Sequence, residues 1–171
     1  MKQFLTVVAF TLLTIGFFAG YSNYGIPQIE PAPPPVEEKI DLGAMTMDGF
    51  IALGERIFNG RGTCTLCHNE LGRAPMLGTI ANVVSERLKD PRYKGEAEDL
   101  EGYLIESLIA PSAFVVAGFG KKGTNDAESP MPNVAAGSIG LSEAEIAAVV
   151  AYLQDSGGAE ETLAIAAVFP F

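Results

Sequence analysis

Apolar positions along the chain fall into one unbroken block and four periodic stretches. The block comes first. "MKQFLTVVAFTLLTIGFFAGY" carries Lys2 and then no charge through Tyr21. Its apolar run, Phe4 to Tyr21, would span ~27 Å as a helix at ~1.5 Å per residue, close to the ~30 Å hydrocarbon core of a bilayer. Residues 1–21 are therefore expected to form a single transmembrane anchor. A cleaved secretion signal is the rival reading, but its apolar region is usually ~7–15 residues and ends in a small-x-small site. Phe17 and Phe18 spoil cleavage after Ala19 and Gly20, leaving only Gly20-Tyr21-Ser22. With Lys2 held inside, either reading puts the rest of the chain on the periplasmic or extracytoplasmic side of the cytoplasmic membrane.

Residues 22–47 read as a linker. Five prolines between Pro27 and Pro35 favour an extended, stiff segment that holds the remaining chain off the bilayer, although a spacer of no fixed reach fits them too. A domain is expected over 48–158. In "DGFIALGERIFNG", Asp48 can cap a helix whose Ile51, Gly54, Ile57 and Phe58 share a face, with Gly60 and Gly62 after its end. "VVSERL" suggests a short helix ending before Pro91. "AEDLEGYLIESLIA" suggests a longer one, with Leu100, Tyr103, Leu104, Ser107 and Leu108 on one side and Pro111 as the stop. The last helix is the clearest. Ser142 and Glu145 make a capping box, Ile146, Val149, Val150 and Leu153 make the stripe, and Gly157 and Gly158 end it. No alternating run defines a sheet, so the domain is expected to be all-α. The apolar tail, 159–171, shows no clear period and could lie on the domain or on a partner.

Composition changes this picture in one respect. The 171 residues carry a formal charge of −10, and residues 48–158 hold 15 acidic and 9 basic side chains. A nucleic-acid surface needs a basic face, so no nucleic-acid partner is expected. The acidity favours a basic or locally basic protein partner.

The chemistry is concentrated in "RGTCTLCHN", which holds both cysteines and the only histidine. A disulfide between Cys64 and Cys67 would close a tiny loop and stabilise little. A dithiol oxidoreductase sets this motif after a β-strand, and no such strand is predicted. Zinc wants a fourth ligand that no second Cys or His pair supplies. Covalent attachment of one haem c uses all three residues: the thiols at i and i+3 form thioethers to the vinyl groups, and His68 turns its imidazole to the iron. An electron carrier needs a second axial ligand. Of five methionines, Met1 lies in the leader, and Met45 and Met47 would have to fold back over the first helix. Met76 is eight residues past His68, with little chain to round the macrocycle. Met131, in "SPMPN" 63 residues downstream, has both the reach and a stiff loop.

Gly54 and Phe58, Cys64, Cys67 and His68, Pro75, "YLIESLIAPSAFVVAGF", the Met131-Pro132 pair and Tyr152 together resemble the class I cytochrome c family in its membrane-anchored monohaem form, over about residues 48–157. The resemblance implies a close crossing of the first and last helices at Gly54, with Phe58 and Tyr152 nearby. It implies that the Pro75 carbonyl fixes the His68 ring nitrogen facing away from iron. It further implies one-electron transfer without independent catalytic activity, between redox partner proteins. The chain would act as a subunit of an integral membrane electron-transfer complex, respiratory or photosynthetic, or as a carrier tethered to the lipid bilayer. A haem peroxidase or gas-binding protein with an open distal site is the alternative. The charged segment 79–98 and the loop 120–130, with Lys121, Lys122, Asp126 and Glu128, depart from a minimal member. The loop could cover the haem edge, dock a partner, or simply be solvated.

Overall fold

A computed structural model describes residues 1–27 and 45–159. Most of the expected linker and tail, residues 28–44 and 160–171, lies outside the described residues. The chain divides into two compact units, Met1–Lys39 and Ile40–Phe171. In the first, α1 (Lys2–Gly20) continues as a π-helical turn over Tyr21–Gly25, so the helix runs past the expected end at Tyr21. These 24 residues are long and apolar enough to cross a membrane, and none of them is buried. Thr6, Thr11 and Thr14 donate their hydroxyls to carbonyls four residues back at 2.9–3.0 Å, which satisfies each polar group within the helix.

The second unit is built from four α-helices among the described residues, with no strand: α2 (Met47–Asn59), α3 (Ile80–Arg87), α4 (Leu100–Ile109) and α5 (Glu143–Ser156). The cap of α2 differs from expectation. Thr46, not Asp48, is the N-cap, and its hydroxyl accepts from the Gly49 N–H at 3.2 Å. Asp48 sits in the first turn, where its charge still favours the positive end of the helix. The buried face is Phe50, Leu53, Gly54, Ile57 and Phe58, while Ile51 is only half-buried. Asp99 caps α4 by accepting from the Gly102 N–H at 2.8 Å. The capping box of α5 forms as expected: the Ser142 hydroxyl accepts from the Glu145 N–H, and the Glu145 carboxylate accepts from the Ser142 N–H at 2.8 Å.

The predicted stripe of α5 is buried, but so are Ala147, Ala148, Ala151 and Gln154. Alanines are small enough to read as neither face in a sequence pattern. Here they let α5 run through the centre, packed against α2, α3 and α4. The closest approach is at Gly54. A Cβ there would lie 1.9 Å from the Ala148 carbonyl oxygen and 2.9 Å from Tyr152 Cβ, so the two backbones meet at a distance only glycine permits. One turn further on, the rings of Phe58 and Tyr152 pack with centroids 5.4 Å apart.

Candidate functional site

The segment after α2 turns sharply. Thr63 adopts a left-handed backbone (φ 56°), and a single 3₁₀ turn over Cys64–Leu66 comes next. Cys67 and His68 both donate their N–H groups to the Cys64 carbonyl, at 3.1 and 2.9 Å. This puts Cys64, Cys67 and His68 on one helical turn, with side chains able to address one object. Gly62 makes room for it, since a Cβ there would lie 2.8 Å from the Ile57 carbonyl oxygen and 3.2 Å from the Cys64 sulfur. Asn69 closes the turn, its amide donating to the Thr65 carbonyl at 2.7 Å and its side-chain oxygen accepting from the Leu71 N–H at 2.9 Å. No disulfide joins the two cysteines; Cys64 is buried and Cys67 exposed. Burial pushes the Cys64 thiol up to about 11, against a smaller opposing effect of a backbone hydrogen bond.

Arg61 anchors this turn to α5. Its guanidinium pairs with the Glu145 carboxylate and donates to the Gly140 carbonyl at 2.8 Å. A residue just before the motif is thus tied to the carboxylate that completes the capping box 84 positions away.

All five sequence-predicted site residues line one cavity of ≈ 230 Å³: Cys64, Cys67, His68, Pro75 and Met131. His68 Nδ1 lies 2.8 Å from the Pro75 carbonyl oxygen. A carbonyl can only accept, so Nδ1 carries a proton, and in the neutral imidazole the lone pair is on Nε2. Met131 reaches the same cavity from the loop before α5, where its N–H donates to the Ser129 hydroxyl at 3.1 Å. Phe58, Ile80, Leu104, Leu108, Val149 and Leu153 supply apolar walls from all four helices of the unit.

This arrangement fits a haem: two sulfurs in a Cys-x-x-Cys-His spacing that matches a haem c attachment motif, an imidazole nitrogen with a free lone pair, a thioether sulfur, and an apolar cleft between them. The cleft also holds residues to which the sequence assigned no role at the site. Phe114, Val115, Val116 and Phe119 form a wall in the segment before the charged loop. Arg87 of α3 enters the lining and donates to the Tyr103 hydroxyl at 3.2 Å. A lone arginine in "VVSERL" reads as the solvent face of a short helix, and only the packing of α3 against α4 turns it inward.

The segments flagged as departures are held by hydrogen bonds within them and to neighbouring residues. In 79–98, the Tyr93 hydroxyl donates to Glu106 at 2.5 Å and accepts from the Ala97 N–H at 2.8 Å. In 120–130, Asp126 accepts two backbone N–H groups, from Gly118 at 2.8 Å and Gly120 at 2.9 Å. These bonds hold its carboxyl below the usual carboxylate range.

A comparison with curated proteins returns no match. The family model for cytochrome c matches residues 51–157, from the second turn of α2 to the glycine after α5. That span includes the whole cleft and is more than half of the chain, and the chain belongs to the cytochrome c family.

Proposed function

We propose that this protein passes single electrons through one covalently bound haem c, held by thioethers from Cys64 and Cys67 and by His68 and Met131 as axial ligands. When bound, the haem supplies the one-electron couple between ferrous and ferric iron. The observation that carries the reading is the meeting of His68 and Met131 in one apolar cleft, although 63 residues separate them in sequence.

The chain's own residues account for the rest. Pro75 accepts from His68 Nδ1, which orients the ring and raises the basicity of Nε2. Pro130 and Pro132 stiffen the backbone on either side of Met131, so its sulfur need not move when the charge of the site changes. The apolar walls exclude water and disfavour the more highly charged state, which with methionine ligation raises the potential.

The membrane-length helix supports a role at the cytoplasmic membrane, with the cytochrome domain on the extracytoplasmic side. Tethering replaces diffusion with a high effective concentration of donor and acceptor. The acidic domain and apolar C-terminal segment favour a subunit of a membrane electron-transfer complex over a lone tethered carrier. The domains proposed are an anchor over 1–21, a linker over 22–47, the cytochrome over 48–158 and a tail over 159–171.

The test is the visible spectrum of the purified, oxidised protein. The weak red band of sulfur-ligated ferric haem is expected in the parent and absent in Met131→Ala. If the parent lacks that band and its reduced form binds carbon monoxide readily, an open distal site with peroxidase or gas-binding chemistry takes its place.

A further inference from the structure

The loop between the Phe114–Phe119 wall and Met131 is mostly exposed, yet it is bonded to itself. Its core is one carboxylate. Asp126 Oδ2 accepts from the Gly118 N–H at 2.8 Å and Oδ1 from the Gly120 N–H at 2.9 Å, so a single side chain closes the segment 118–126 on itself. The closure is tight: a Cβ on Gly120 would lie 2.5 Å from Asp126 Cα. Asn125 and Asp126 turn the chain here at φ 52° and 58°, in the left-handed region that Asn and Asp tolerate better than other non-glycine residues.

The chain leaving this closure leads straight to Met131. The Glu128 carbonyl accepts from the Lys121 N–H at 2.8 Å, the Ser129 N–H donates to the Ser112 hydroxyl at 3.0 Å, and the Met131 N–H donates to the Ser129 hydroxyl at 3.1 Å. Ser112 lies at the start of the segment that carries the cleft wall. The Asp126 closure thus abuts the wall at Gly118 and is followed by the contacts that hold Met131, while Asp126 itself does not line the cleft.

We infer that Asp126 is a positioning residue for Met131, holding its sulfur at the cleft by closing the loop that precedes it. This rests on Met131 as an axial ligand. The carboxylate bonds are charge-assisted and form between near neighbours, so their loss opens the loop without unfolding the helices, which draw on a separate core. An open loop frees the sixth coordination position, and an external ligand then competes more easily.

The experiment uses the full-length, haem-loaded protein and its variants Met131→Ala, Asp126→Ala and Asp126→Asn. Imidazole is titrated against the red band of the oxidised form, and the helical melt is followed by circular dichroism. Asp126→Ala is expected to keep the band but lose it at an imidazole concentration lower by about tenfold or more, from two charge-assisted bonds, with the helical melt unchanged. Asp126→Asn keeps one acceptor oxygen and should fall between alanine and the parent. If Met131→Ala retains the parent's band, the ligand assignment fails and takes this inference with it. Where the band depends on Met131, the inference alone is overturned if Asp126→Ala stays within twofold of the parent, or if its helical melt falls in parallel with the loss of the band.

Discussion

Single atoms decide the architecture at Gly54. The sequence places it on the inner face of the first cytochrome helix, the family resemblance implies a close crossing with the last helix there, and the structure gives the distances. Two effects oppose each other in Gly54→Ala. Alanine favours the helix by about 1 kcal/mol. Its Cβ would fall 1.9 Å from the Ala148 carbonyl oxygen, and a backbone atom inside a central helix cannot step aside. Separating the helices costs about 1–3 kcal/mol or more, as in other overpacked cores, so the clash wins. The variant is expected to melt about 5–10 °C below the parent, read by circular dichroism. An unchanged melt would mean that α2 and α5 do not meet there. His68 shows the same dependence on one contact, because the Pro75 carbonyl decides which nitrogen keeps its lone pair.

Elements in this fold are joined by a few polar contacts at their connections. The link between α3 and α4 folds onto the Glu106 carboxylate of α4, which takes the Tyr93 hydroxyl on one oxygen and the Glu96 N–H on the other, at 2.8 Å. Gly95 permits the approach, since a Cβ would collide with that carboxylate. Burial and the bond to Glu106 push the Tyr93 phenol up to about 12 from its ordinary value near 10. Its folded-state pKa is thus raised, so its contribution to stability is complete below pH ~10 and is lost as pH rises toward about 12. Urea unfolding at pH 9 and pH 11 should show a fall for the parent and a smaller fall for Tyr93→Phe, which keeps the ring contacts with Tyr103 and Phe114. Equal falls in the two proteins would show that Tyr93 is not the source of the pH dependence.

At the scale of the whole molecule, two units carry two tasks. The first is a helix with an apolar surface that water disfavours, and the second buries its own core. Removing residues 1–27 should move the protein from the membrane to the soluble fraction, while the helical melt and visible spectrum of the cytochrome stay those of the full chain. A protein that remains with the membrane after this truncation is held by something else, and the apolar segment beyond residue 159 would be the place to look. A melt that drops with the truncation would show that the helix also supports the cytochrome core.

The sequence by itself determined the elements whose signals are local. An apolar N-terminal helix, though not its end beyond Tyr21, a capping box at Ser142 and Glu145, and a Cys-x-x-Cys-His turn each arise from residues within a few positions of one another. The tertiary structure decided what depends on distant partners. The alanines of α5 are buried because three helices surround it. Arg87 turns into the cleft through the packing of α3 on α4, and Asp126 closes a loop through two backbone groups that carry no signature in sequence. Periodicity and motif spacing report which residues lie side by side along one element. The surroundings of a side chain on its other sides are set by elements far away in the chain, and those come together only on folding.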